Sequence, residues 1–364
     1  MVTAQSIFNS SGANYLSRGQ ELTRQYMDKL RQLGVANLHV MSTSADAKVA
    51  PPEEVLSEKT RALAVKRVYD VFQQVGKSGT FDVEPLSKAA SAMVNDIVER
   101  RGNLVQLTDI RVHDMYTFAH SVNVAMLSAL IGVLAGLKGK QLQELTLGAL
   151  MHDLGKIVVP PEVLNKPGRL TKNEFDIIKH HPMAGYDKIR RLGLPGNDVL
   201  GVVALQHHEH LDGSGYPKGL KGEEIHLYGR ISAIADVYDA LTSSRPYKKA
   251  YSPAIAYNIM VNCSEGHFDE TLLNFFFSNV AVFPVGSVLK TSRGHGIVKS
   301  IEFGRTDRPL VIVFADEYGG CLSNPYELDL NAELSVKVES AMNDDDLYNF
   351  IKSTGFDPAV LLSA

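Results

Sequence analysis

Nine of the chain's twelve histidines fall between positions 113 and 226, in a stretch where almost every periodic segment reads as a helix. "YTFAHSVNVAMLSALIGVLAG" and "KQLQELTLGALMHDLG" each place apolar residues three to four apart, the spacing that gives a helix one buried face. "GNDVLGVVALQHHE" and "YGRISAIADVYDALTSS" continue the series. In "TKNEFDIIKHH", Thr171 and Glu174 stand at capping-box spacing and mark a helix start. The imidazoles and carboxylates of these segments sit at the ends or on the lining faces of apolar helices. A charge buried there is costly unless it is paired or metal-bound. That requirement points to a mainly α fold, in which a bundle of helices aims its polar residues at one centre.

His152 and Asp153, in "ALMHDLGKI", are polar neighbours closing an apolar helix, and Lys156 follows within one turn. His120, His181, the His207–His208 pair and Asp236 each end or line a different helix. Imidazole and carboxylate together suit iron, manganese or zinc better than calcium or magnesium. Six side chains and one shared carboxylate exceed what a single ion takes, so the set fits two ions bridged by Asp153. Two ions about 3.5–4 Å apart suit an in-line phosphoryl displacement. The competing reading is a polar cluster that satisfies itself by hydrogen bonds.

Composition narrows the alternatives. A formal net charge of -4 carries no footprint for a nucleic-acid polymer, so an anionic ligand must meet local positive charge. Two cysteines, Cys263 and Cys321, make no disulfide framework. The first twenty residues lack the pattern of a signal peptide, and no apolar run reaches the roughly 18–20 residues of a membrane span. A cytoplasmic protein is expected, with no membrane contact. Residues 1–45 read as a small N-terminal α/β module, with a helix in "ELTRQYMDKLRQLG" and a strand in "ANLHV". Residues 46–107 read as a Ser/Ala/Pro-rich linker and two helices. Residues 283–364 hold alternating β-branched strands, a small β module, then a tail whose "NDDDLYNFI" opens a short helix.

"MHDLGK", "HHPMAG", "HHEHLDGSGYPKGL" and "ADVYDALTSSRPY" occur in order between about Tyr116 and Tyr251. Together they resemble the signature of the HD-GYP family, the branch of HD metal-dependent phosphohydrolases associated with bacterial cyclic di-GMP hydrolysis. The resemblance implies an HD-type helical bundle over residues 108–282 as the catalytic domain. It implies two divalent transition-metal ions, iron or manganese. One would be held by His120, His152, Asp153 and Asp236, the other by Asp153, His181, His207 and His208. Lys156 matches the lysine that approaches the scissile phosphate, and with Asp153 forms the catalytic pair. Gly215, Tyr216 and Pro217 match the GYP element at the rim, and Arg245 and Lys248 match phosphate-binding positions. Asp239, three residues beyond Asp236, is placed with these substrate-binding groups.

The implied activity is hydrolysis of cyclic di-GMP to linear pGpG, and slowly to GMP. Some family members carry a glutamate for a third metal where this chain has Tyr116, and a neutral phenol is a poor substitute. Alternatives from other classes are a sensor of cyclic dinucleotides, a module binding a GGDEF-domain protein, and a hydrolase of cyclic GMP–AMP. A homodimer is among the implied assemblies. His113–Asp114, His180, His210 and His226 read as surface or supporting polar residues, and Glu209 and Asp212 as residues shaping the GYP turn.

Overall fold

The computed structural model describes residues 2–3, 7–8, 14–17, 19–32, 40–41, 55–100, 116–192, 197–243, 250–262, 266–302 and 304–362. By their contacts, the described residues up to Phe276 form one compact unit and those from Phe277 onward a second. The fold is mainly helical with a small C-terminal antiparallel sheet, the class expected. No helix among the described residues is long and apolar enough to cross a membrane.

The first unit opens with strands β1 (Val2–Thr3), β2 (Ile7–Phe8) and β3 (Asn14–Leu16), helix α1 (Arg24–Gln32) and strand β4 (Val40–Met41). β1 pairs antiparallel with β4, and β2 with β3. Thr3 is buried, and its hydroxyl donates to the Ser17 carbonyl at 2.6 Å while accepting the Gln20 amide at 3.0 Å. Helices α2 (Glu58–Ser78) and α3 (Glu84–Glu99) follow. α2 starts where the Ser57 hydroxyl accepts the Thr60 amide, and it stops at Gly79, whose φ of 75° suits a residue without Cβ. Its buried Ala64, Val68, Val71 and Val75 recur three to four apart, as an amphipathic helix requires.

The bundle continues with α4 (Tyr116–Leu134), α5 (Gly139–Leu150), α6 (Pro161–Leu164), α7 (Lys172–Ile178), α8 (His181–Arg190), α9 (Asn197–Gln206), α10 (Leu227–Thr242), α11 (Pro253–Asn262) and α12 (Glu270–Asn279). α4 packs on α2, α5 and α10, and α9 packs on α5, α8 and α10. Leu127, Ile131, Leu142 and Leu145 are fully buried between them, each contributing about 1.5–3 kcal/mol. This apolar packing fixes the helix axes and so places the polar side chains at their ends. The capping box predicted for α7 forms: the Thr171 hydroxyl accepts the Glu174 amide at 3.3 Å, and Glu174 accepts the Thr171 amide at 2.7 Å. A Cβ on Gly155 would lie 1.9 Å from the His181 carbonyl oxygen, so the turn after α5 meets α8 only because position 155 has no side chain.

The second unit holds β5 (Val288–Thr291), β6 (Gly294–Glu302), β7 (Arg305–Ala315), β8 (Cys321–Asp329), β9 (Val338–Ala341) and helix α13 (Asp344–Thr354). The strands form one antiparallel sheet in the order β8-β7-β6-β5-β9. Val288 lies opposite Ile297, and Ile297 opposite Ile312, so one sheet face is continuously apolar. Leu347 and Phe350 of α13 close over Val288, Ile297, Ile312 and Phe314. The Asn343 side chain starts α13 by accepting the Asp346 amide at 2.8 Å.

Candidate metal centre

The bundle brings all seven expected ligands together from five helices. His120 lies within α4 and Asp236 within α10, which packs against it. His152 and Asp153 follow the C-terminus of α5, His181 is the first residue of α8, and His207 and His208 follow α9. All are buried except His208, which is half-buried. Asp153 sits between two sets of imidazoles. Its Oδ2 is 3.7 Å from His120 Nε2 and 3.3 Å from His152 Nε2. Its Oδ1 is 3.5 Å from His181 Nε2 and 3.9 Å from His207 Nε2. Asp236 also spans the centre, with Oδ1 3.1 Å from His120 Nε2 and Oδ2 3.6 Å from His208 Nδ1.

The outward nitrogens explain why these rings point inward. His152 Nδ1 bonds to the Ala149 carbonyl at 2.8 Å, His181 Nδ1 to Ile178 at 2.7 Å, and His207 Nδ1 to Ala204 at 2.9 Å. Carbonyls at helix C-termini lack intrahelical partners, so each ring satisfies one and its Nε2 is turned to the centre. Burial, with the neighbouring imidazoles adding, holds His207 well below its ordinary pKa. Burial alone does most of this for His181, and it lowers His208 to about 3. These rings are therefore neutral and carry lone pairs. For Asp153 and Asp236 burial pushes upward, but the surrounding imidazoles, and Lys156 beside Asp153, outweigh it and keep both carboxylates ionised. For His120, burial is outweighed by hydrogen bonds to Asp236 and Asp239, and its pKa is raised to about 10.

The donor set fits divalent cations and does not satisfy itself. His152 Nε2 and Asp153 Oδ1 are buried with no hydrogen-bond partner, and the Nε2 atoms of His181 and His207 face each other at 3.3 Å. A self-sufficient polar cluster would pair such atoms, since each orphan costs about 1–3 kcal/mol. Two groupings, His120–His152–Asp153 and His181–His207–His208, each keep three ligand atoms within 4.8 Å of one another.

Asp239, expected among the substrate-binding groups, is 3% exposed, and both its oxygens are engaged. Oδ2 lies 2.6 Å from His120 Nδ1, and Oδ1 accepts Asn123 Nδ2 at 2.8 Å and Ser243 Oγ at 3.1 Å. It backs His120 in the way that carboxylates back metal-bound imidazoles. Asn123, one helical turn after His120, was not singled out in the sequence, because a lone asparagine in an apolar helix carries no motif.

Lys156 Nζ lies 2.5 Å from Asp153 Oδ2 at the open edge of the cluster. Tyr216 stacks on His208 with ring centroids 4.7 Å apart, and Phe175 meets Tyr216 edge-on with centroids 6.1 Å apart. Burial first, then the charges of Asp236 and Asp153, raise the Tyr216 phenol above its usual pKa. A Cβ on Gly215 would come 2.3 Å from the His210 amide nitrogen, which accounts for glycine there. Pro217 follows in the same turn. Glu209, 2% exposed, holds that turn by accepting the Lys218 and Leu220 amides at 2.7 and 3.0 Å. His180 and His226 are exposed, His210 is half-buried. Arg245, Lys248, His113–Asp114 and His39 lie outside the described residues.

The HD domain family matches residues 89–272. Over 289 residues the chain is 33% identical to a cyclic di-GMP phosphodiesterase of Pseudomonas aeruginosa, covering 77% of this chain and 69% of that protein. It is 40% identical over 176 residues to a cyclic di-GMP phosphodiesterase response regulator of Xanthomonas campestris, 47% of each. It is also 40% identical over 167 residues to a 3'3'-cGAMP-specific phosphodiesterase of Vibrio cholerae, 45% of this chain and 38% of that one. The chain thus spans less than half the length of the last two.

Proposed function

The chain belongs to the HD domain family and carries the ordered HD-GYP motifs, and on that premise we propose that it is a metal-dependent phosphodiesterase opening cyclic di-GMP to linear pGpG. The observation that carries this reading is the seven-residue cluster in which the two oxygens of Asp153 face separate sets of imidazoles. The proposed ligands are His120, His152, Asp153 and Asp236 for one divalent ion, and Asp153, His181, His207 and His208 for the other. Iron or manganese suits a donor set of five imidazoles and two carboxylates better than magnesium does. Such a pair supplies Lewis-acid chemistry, lowering the pKa of water and offsetting phosphate charge.

The remaining groups are assigned to the substrate or to the support of the ligands. Lys156 Nζ, at the open edge of the cluster, is placed to donate a proton to the departing 3′-oxygen, which leaves a 5′-phosphate on pGpG. Tyr216 stays a phenol at working pH and braces His208 by stacking, so it orients rather than abstracts protons. Arg245 and Lys248 are assigned to the second phosphate, where a planar guanidinium meets two oxygens at once. Position 116, at the start of α4, is a tyrosine where a third carboxylate ligand would be needed. The first ring-opening should therefore outpace the second cut, and pGpG should accumulate.

Similarity to a 3'3'-cGAMP-specific enzyme favours one second reading, a preference for the mixed cyclic dinucleotide. Incubating metal-loaded protein with cyclic di-GMP and cyclic GMP–AMP, and following products by time-resolved chromatography, tests both. Early pGpG with late or absent GMP is expected. GMP without a pGpG intermediate refutes the two-ion product assignment, and turnover of only the mixed dinucleotide replaces the substrate.

A further inference from the structure

Outside the centre, one further group among the described residues brings three potential ligand atoms together. One ring nitrogen each from His210 and His267 and one carboxylate oxygen of Asp212 all lie within 4.8 Å of one another. The two imidazoles stack, with centroids 4.1 Å apart and planes 15° apart. His267 Nε2 stands 3.9 Å from Asp212 Oδ2. The backbone holds the two segments in place before any side chain is counted: the Leu211 amide donates to the His267 carbonyl at 3.1 Å, and the Asp212 amide to the Gly266 carbonyl at 2.9 Å.

The supporting bonds spare the ligand atoms. Asp212 Oδ1 accepts the Ser214 amide at 2.8 Å, which leaves Oδ2 toward His267. His210 Nδ1 lies 2.9 Å from Ser214 Oγ, which turns Nε2 away from the serine. Ser214 thus does for both residues what outer hydrogen bonds do for metal ligands. The side chains of Asp212 and His267 are 40% and 36% exposed, so an ion can enter and keep water in its remaining positions.

We infer that His210, Asp212 and His267 form a separate site for one borderline divalent ion, with zinc as the best match. Two imidazoles and one carboxylate exclude calcium and magnesium, which take oxygen ligands. Zinc bonds of about 2.0–2.2 Å bring the three donors to roughly 3–3.5 Å of one another, a contraction that half-exposed side chains make by small rotations. The ion would clamp the turn bearing Gly215 and Tyr216 to the segment before α12. Since Tyr216 stacks on His208, the clamp acts on the rim of the catalytic centre without sharing a ligand with it. The inference goes beyond the proposed activity and does not depend on it.

The test uses the full chain with its resident metals in place, incubated with a small excess of zinc and desalted before total metal is counted by elemental analysis. The parent should retain one ion per chain more than either His267→Ala or Asp212→Asn. Without added zinc, His267→Ala should match the parent in resident metal, melting temperature and hydrolytic rate. In cobalt-treated protein, the parent-minus-variant spectrum should show visible bands of a nitrogen- and oxygen-ligated ion. Equal zinc in the parent and both variants overturns the site, as does a featureless difference spectrum, because stacked imidazoles that merely pack bind nothing.

Discussion

Asp239→Asn tests the role of the buried carboxylate behind His120. Three donors converge on the two carboxylate oxygens: His120 Nδ1 at 2.6 Å, Asn123 Nδ2 at 2.8 Å and Ser243 Oγ at 3.1 Å. An asparagine of the same shape has one acceptor oxygen and two N–H donors. With its oxygen toward His120, its amide nitrogen meets the Asn123 amide. Flipping Asn123 only moves the conflict, because Arg61 Nη1 donates to Asn123 Oδ1 at 3.1 Å. Each arrangement leaves a buried donor against a donor, at a cost of about 1–3 kcal/mol. Removing the carboxylate behind a ligand histidine weakens metal binding about 10–100-fold, which is about 1.4–2.8 kcal/mol. The first cost falls on the stability of the fold and the second on metal affinity, where a loss of about 10–100-fold is expected. Chelator competition on parent and variant measures it, with thermal melting to show that the fold persists. In variant re-saturated with metal, KM for cyclic di-GMP should match the parent. Unchanged metal affinity with a raised KM would refute the argument and return Asp239 to the substrate.

Gly155→Ala forces a Cβ to 1.9 Å from the His181 carbonyl oxygen and 2.6 Å from the Gly185 amide nitrogen. It should destabilise the bundle by at least the about 1–3 kcal/mol of core overpacking and lower metal content; a normal Tm with full metal would contradict the close approach. Arg245→Ala should raise KM by the equivalent of about 1.5–3 kcal/mol, the worth of a hydrogen bond to a charged group, and leave metal in place; loss of metal instead would show that the residue is misplaced. At Asp96, burial pushes the carboxyl pKa up, but the Ser57 amide, at 2.8 Å, with the Thr60 and Ser57 hydroxyls and Arg100 outweighs it and the net shift is downward. A depressed carboxylate stabilises above its unfolded value of about 3.9 and loses that contribution as pH falls through the folded value. Asp96→Asn should therefore lower Tm at pH 7 by the equivalent of about 1 kcal/mol, with the two melting curves converging below pH of about 4; a constant gap across pH would exclude the charge.

The gathering of these histidines and aspartates at one centre was legible in the sequence because polar residues closing apolar helices have few physical outlets, and because His152–Asp153 and His207–His208 are adjacent in the chain. Local devices were legible for the same reason: the Thr171–Glu174 capping box needs only residues three apart. The alternation of the C-terminal strands likewise announces one buried face, and Val288, Ile297 and Ile312 form it. What the sequence left open depends on how α4 rotates against α10 and how far apart their axes lie. That rotation brings the Asp239 carboxylate to His120 Nδ1. Nor does any spacing announce that His267 stacks on His210. Residue chemistry and one-turn spacing are written along the chain. Meetings between distant segments are decided only by the packing of the apolar faces that carry them.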